Sequence, residues 1–155
     1  MHRTLLIGLL TVVALGTTAF AQAKSGTAEE AKAMLMRAID AVKADKAKAL
    51  DMFNKGEGGF LDRDLYVFCS TLNDGRVVAI GNPNAKQLLG TDSRTLKDAT
   101  GKLFGVELFA AESKDGISEV NYMFPRPGTD KTPVQKVSLA TKVNDEIGCG
   151  VGYYK

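Results

Sequence analysis

The side chains able to do chemistry in this chain are few, and one absence bounds them. The only histidine is His2, inside a stretch that reads as a cleaved leader, so the chain beyond it holds no imidazole. Ser-His-Asp and Cys-His catalysis are thereby excluded, because no group titrating near neutrality is left to act as base. Histidine-containing zinc sites and histidine-ligated haem fall with them, and no Cys-x-x-Cys-His haem motif occurs. No metal and no cofactor is expected. Two-carboxylate and lysine-based chemistries stay formally open, but no pair of acids stands out as an acid/base couple, so a protein that is not an enzyme is expected.

Three residues are candidates for holding a ligand. Lys136 is a charged residue in an otherwise apolar-to-neutral strand, a natural counter-charge for a carboxylate. A lysine at a solvent-facing alternation position is the alternative. Tyr122 offers a hydroxyl to the same ligand, or is an amphipathic core tyrosine. Arg126, between Pro125 and Pro127, is either an anion clamp or a solvated turn residue. Asp98 has the right chemistry to bond the backbone of its own loop.

The elements that must position these residues begin after a leader. Arg3 supplies a positive start, Leu5 to Leu15 an apolar run, and Ala19-Phe20-Ala21-Gln22-Ala23 small residues at signal-peptidase spacing, the layout of a secretory signal peptide. An uncleaved N-terminal anchor is the alternative, but the apolar run is short for a membrane span. With residues 1–23 removed, 132 of the 155 residues remain, enough for one sizeable core. One of the 20 basic residues and none of the 18 acidic ones lies in the leader, so the mature charge is +1. That balance gives no electrostatic case for nucleic acid or an anionic membrane. No other stretch approaches a span, so the mature chain is expected to be periplasmic or secreted.

Residues 24–155 read as one α+β domain. Thr27 to Glu30 has capping-box form, and Ala31, Met34, Leu35, Ala38, Ile39 and Val42 recur at helical spacing, predicting a helix over residues 28–44. Asp45 caps a second short helix through Phe53. The central stretch, Leu65 to Ile80, holds two apolar β-rich runs around Asn73-Asp74-Gly75, a hairpin signature. Its first run is apolar on both alternation sets, so both sheet faces must be covered. Residues 85–100 read as a lid-type loop with at most one short helix, and residues 102–111 as a helix. Val120, Tyr122 and Phe124 alternate with polar neighbours. Lys136, Ser138 and Ala140 then face one way, and Val137, Leu139 and Thr141 the other. In the last strand Gly148, Gly150 and Gly152 leave one face bare, so something must approach the backbone there. A packed helix is the expected occupant, ahead of a ligand.

The order of these pieces resembles the single Cache domain, an extracellular relative of PAS sensor domains. The resemblance is carried by Tyr66-Val67-Phe68, Asn73-Asp74-Gly75, Asn82-Pro83, Leu89-Gly90 and Asp98-Ala99-Thr100-Gly101-Lys102. It continues through Tyr122-Met123-Phe124-Pro125-Arg126-Pro127-Gly128, Lys136-Val137-Ser138 and Gly148-Cys149-Gly150-Val151-Gly152-Tyr153, and spans about Ala28 to Tyr154. It implies a PAS/Cache-like five-stranded antiparallel sheet. A long N-terminal helix would cover one face, and a loop-helix lid with a small-molecule pocket the other. Lys136 matches the family's strand lysine. Met123 stands where a basic residue is usual, with Arg126 displaced beyond Pro125, and Leu139 stands where a tyrosine is usual. These departures imply a more apolar pocket, or one that has lost its ligand.

In such a sheet the strands bearing Cys69 and Cys149 are neighbours, and export permits a disulfide. A Cys69–Cys149 bridge is the candidate; two free buried thiols, or a pair on different registers, are the alternatives. The expected function is periplasmic sensing or binding of a small organic ligand, anionic and of short-carboxylate type. Behind a leader, such a domain is expected to signal through a separate partner, a membrane receptor or sensor kinase. A structural or interaction module with the same fold and no ligand is the alternative. The leader itself is directly testable: the exported product should begin near Gln22 or Lys24, and the intact mass of periplasmic material decides this. A mass retaining Met1 to Ala21 would mean an anchored protein.

Overall fold

The capping box forms as written. In the computed structural model, which describes residues 24–155, the Thr27 hydroxyl accepts from the Glu30 N–H at 3.2 Å and the Glu30 carboxylate accepts from the Thr27 N–H at 2.8 Å. The leader expected over residues 1–23 lies outside the described residues. This cap opens α1, Ala28–Ala44, which buries Ala31, Met34, Leu35, Ala38 and Val42 along one stripe. Each of its larger side chains contributes about 1.5–3 kcal/mol by leaving water. Asp45 caps α2, Lys46–Lys55, by accepting from the Lys48 N–H, and Gly56 ends it in the left-handed region at φ 70°, where glycine carries no steric penalty. Among the described residues, no helix is long and apolar enough to cross a membrane.

Six strands follow: β1 (Leu61–Asp62), β2 (Leu65–Thr71), β3 (Val77–Ile80), β4 (Ser118–Pro125), β5 (Pro133–Lys142) and β6 (Ile147–Tyr154). All pairings are antiparallel, in the order β1-β2-β6-β5-β4, with β3 also paired to β2. The five expected strands are therefore present, and β1 is an addition of two residues. It arises because Asp62 and Leu65 pair around Arg63-Asp64, with Arg63 at φ 57°. Arg63 is held there by Asp62, by Glu30 and by the Ser25 carbonyl. Asn54 lies along the outer side of β3, donating to the Val78 carbonyl at 3.1 Å and accepting from the Ile80 N–H at 3.0 Å.

The sheet has two covered faces, as the apolar parity of β2 requires. Leu65, Val67 and Cys69 pack with Ile147, Cys149 and Val151 beneath α1. Tyr66 and Phe68 face the other way, toward Val120, Tyr122 and α3, Phe104–Glu112. The helix expected from Lys102 starts two residues later, because Asp98 draws residues 98–102 into a loop by accepting from the Lys102 N–H at 3.1 Å. The lid ahead of it contains no α-helix. It is built on two 3-10 turns, Pro83–Leu88 and Ser93–Thr95, capped by Asn82 and Asp92.

Cys69 and Cys149 are directly paired residues of β2 and β6, and they form a disulfide. The bridge closes a sequence separation of 80 residues, which in the chain-entropy model stabilises the fold by about 4 kcal/mol, less any native strain. Replacing both cysteines by alanine should lower the unfolding free energy by about that amount, read as a lower urea midpoint with a somewhat steeper slope, since the unbridged unfolded chain exposes more surface. Thiol titration of the unfolded, non-reduced wild type should find no free thiol.

Candidate functional site

Lys136 is placed by the register of β5. Its neighbours in the ladder are Tyr122 on β4 and Tyr154 on β6, and its side chain runs over Gly152, where any Cβ would collide with the lysine stem. The ammonium is thus carried under the lid rather than into solvent: Lys136 is 1% exposed. Its Nζ donates to the Tyr66 hydroxyl at 2.6 Å. Around it lie the rings of Tyr66, Phe124 and Tyr154, with centroids at 4.0, 5.2 and 5.2 Å, and those of Phe68 and Tyr122 at 5.8 and 5.9 Å. Cation–π attraction acts at such distances. Burial pulls the lysine pKa down, while the Tyr66 hydrogen bond pushes it up, and the phenols of Tyr122, Tyr66 and Tyr154 add to that only when ionised. With the phenols neutral, the amine is held by the Tyr66 hydroxyl and the ring faces and by no counter-ion. Among the described residues, no carboxylate lies within ion-pair distance of it.

A cavity of about 30 Å³ adjoins the ammonium, lined by Lys136, Tyr66, Phe68, Phe104, Leu108 and Tyr122 with Ser70, Ser93 and lid leucines. That volume holds about two water molecules. Its walls are apolar except for the lysine, the two tyrosines and the two serines. Tyr122 stacks on Phe104 of α3 with centroids 4.1 Å apart and planes 3° apart, and its hydroxyl hydrogen-bonds Ser138 at 2.8 Å. Burial raises the Tyr122 and Tyr154 phenols above their ordinary values, so both are neutral.

Lys136 and Tyr122 are therefore brought together, and Arg126 is not. Strand β4 ends at Pro125, and Arg126 turns outward to Asp64, Nε to Oδ2 at 3.3 Å, with its guanidinium 5.1 Å from the Tyr154 ring centroid. It ties β4 to the β1–β2 turn, where Asp64 also accepts from the Gly26 N–H at 2.7 Å. The site residues that sequence reasoning left out are Tyr66, Phe68 and Tyr154. Their signal was parity: Tyr66 and Phe68 share a face, and Tyr154 continues the series Gly148, Gly150, Gly152. The three glycines meet different things. Only Gly148 lies against a helix, at Glu112 of α3; Gly150 lies under the Phe68 ring and Gly152 under Lys136.

The lid is pinned to the free edge of β4 by Asp98. Its carboxylate accepts from the Met123 N–H at 3.0 Å and from the Thr100 hydroxyl and N–H at 2.6 and 2.8 Å. Lys102 Nζ adds a bond to the Asn121 carbonyl at 2.6 Å.

Comparison with known proteins agrees with this architecture. The family model described as Single Cache domain 2 matches residues 9–153. Among solved structures, the chain is similar to a methyl-accepting chemotaxis protein from Vibrio parahaemolyticus, at 23% identity, TM-score 0.64, and coverage of 81% of this chain and 86% of that one. It is similar also to a Cache chemosensory domain solved for its carboxylic acid recognition, at 24% identity, TM-score 0.62, and coverage of 81% and 91%. A periplasmic sensor domain of a chemotaxis protein matches at 24% identity and TM-score 0.60, covering 81% and 88%. These likenesses concern the fold. No curated protein shows significant sequence similarity to the chain.

The Asp98 anchor makes the lid acid-sensitive. The Thr100 hydroxyl and the Met123 N–H hold its carboxyl down at about 2, against about 3.9 for a free aspartate. A depressed folded-state pKa gives stability that is complete above about pH 4 and lost as pH falls through about 2. Asp98→Asn should be less stable at neutral pH and should lose less between pH 4 and 2 than wild type, followed by circular dichroism. Parallel pH profiles would show that the carboxylate does not hold the loop.

Proposed function

This chain belongs to the single Cache domain family, and on that footing we propose that it is a periplasmic sensing domain for a small monoanion of short-carboxylate type, reporting to a separate membrane-bound partner. The observation that carries the proposal is the fully buried Lys136 with no carboxylate partner among the described residues. Buried charges are normally paired, and a phenol with five π faces leaves two N–H donors of the ammonium free for an anion. The polarity of the cavity supports one negative charge at one end and a short apolar remainder. Phe104 and Leu108 wall it opposite Phe68, and a second cationic side chain is absent from its lining. A carboxylic acid is the ligand class of one structural neighbour, which is consistent with this chemistry. The family is generally non-catalytic, and the absence of imidazole beyond His2 agrees with a binding role.

The size of the cavity, about 30 Å³, favours a second reading: an interaction module whose pocket stays closed over Lys136. Entry of even a two-carbon acid requires Phe104 and the lid leucines to lift. One experiment separates the two. A thermal-shift screen of one- to four-carbon acids, amines and purines should find a stabilising acid; occupancy at about 100 times Kd adds about 2.7 kcal/mol. Calorimetric titration of that acid into Lys136→Met should then show about 1.5–3 kcal/mol weaker binding, the range for a charge-assisted hydrogen bond. Equal affinity in the two proteins would remove Lys136 from the site, and a screen with no stabilising acid would favour the closed module.

A further inference from the structure

Glu112 is a second buried ionisable group on the lid side of the sheet, and the binding chemistry at Lys136 does not use it. It is the last residue of α3, is 0% exposed, and neither carboxyl oxygen has a hydrogen-bond partner. Its carbonyl and Cβ press on Gly148, leaving no space for a side chain on that residue. Gly148 is the ladder partner of Ser70 on β2. Ser93, on the turn that packs against α3, also has a buried hydroxyl without a partner. Ser70 and Ser93 both line the cavity, Ser70 on the Glu112 side and Ser93 against Gly105 at the start of α3.

The charges that face Glu112 are all engaged elsewhere or exposed. On β5, Lys142 stands beside Gly148 in the ladder and is ion-paired to Asp145 at 2.6 Å, while Lys136 lies six residues away against Tyr66. On the Ser93–Thr95 turn, Arg94 is bound to Asp92 and lies over the Phe109 ring. On β4, Glu119 is exposed and Tyr122 is stacked on Phe104; on β2 and β6 the titratable groups are Tyr66, Tyr153 and Tyr154; beyond α3, Lys114 and Asp115 are exposed. None of these lies within ion-pair distance of Glu112. The carboxyl also sits at a helix C-terminus, where the aligned peptide dipoles oppose a negative charge.

An ionised carboxylate cannot be kept there without a partner, whereas a neutral acid can. α3 carries Phe104 and Leu108 into the cavity wall, so whatever unseats its C-terminal end changes the closure of the pocket. We propose that Glu112 is a proton-binding site that couples the seating of α3, and with it access to the pocket, to the pH of the surrounding medium. With the proton bound, the neutral acid lies over Gly148 and the lid is closed; on loss of the proton to solvent, the carboxylate moves toward water and the end of α3 lifts. Burial raises this carboxyl to about 8, so the change falls near neutral to mildly alkaline pH. The folded-state pKa is raised for an acid. Its cost is therefore absent below the free glutamate value, grows as pH rises above it, and is complete at the folded pKa.

The test uses the ligand-free mature chain, which makes it independent of the anion at Lys136. Amide hydrogen exchange is measured for residues 105–112 from pH 6 to pH 10, with rates corrected for the intrinsic pH dependence. Protection in wild type should fall by up to about tenfold per pH unit as pH rises from 6 toward the folded-state pKa and level off above it, and Glu112→Gln, which keeps the shape without the charge, should hold its protection across the range. Constant protection in wild type, or the same fall in Glu112→Gln, would overturn the proposal. Should Glu112→Gln fail to fold, carboxyl carbon-13 shifts in wild type decide: one glutamate titrating near pH 8 supports it, and all glutamates titrating between about pH 4 and 5 overturn it.

Discussion

Gly152 has no side chain, and Lys136 lies across the space this leaves. Everything on the lid side of the sheet follows from that close approach. A side chain at Gly152 would push the lysine stem off the sheet, and a side chain at Gly150 would displace the Phe68 ring that helps enclose the ammonium. The bare face of β6 is thus a shallow trough, filled by groups from β5, β2 and α3 in turn. Each group packs against backbone rather than against another side chain, which fixes its height above the sheet. The ammonium is held low, among phenol and phenyl faces.

The opposite face of β6 is built for cohesion. Cys149, joined to Cys69, shares it with Ile147 and Val151, and together they form the floor on which α1 lies. One strand therefore carries the covalent bond and a fully buried apolar row on one side, and the bare trough on the other. α3 packs on one face of the sheet, and α1 and the disulfide lie on the other.

Much of this was legible in the sequence, for local reasons. The capping box at Thr27, the hairpin around Asp74-Gly75 and the parity of β4 to β6 are all set by residues within a few positions of one another. Lys136 was legible because a charge in an apolar strand has few explanations. The short strand β1 was not, since Arg63-Asp64 is no hairpin signature and its turn depends on contacts from Glu30 and Ser25. Arg126 was assigned toward the ligand by its place in the chain, but parity stops with the strand at Pro125. The occupants of the glycine face were only partly legible: glycine announces a close approach and not what approaches. Glu112 was invisible, because a glutamate at the end of a helix reads as solvated until that end is seen to sit on Gly148.

Both outer edges of the sheet are occupied by the chain itself. Asn54 takes up the N–H of Ile80 and the carbonyl of Val78 on β3, while Asp98 and Lys102 take up Met123 and Asn121 on β4. Free strand edges are the usual template for adding a foreign strand, and here the template is blunted at both ends. Strand addition by another molecule is disfavoured at these positions. At high protein concentration, this closure protects the native sheet against templated aggregation.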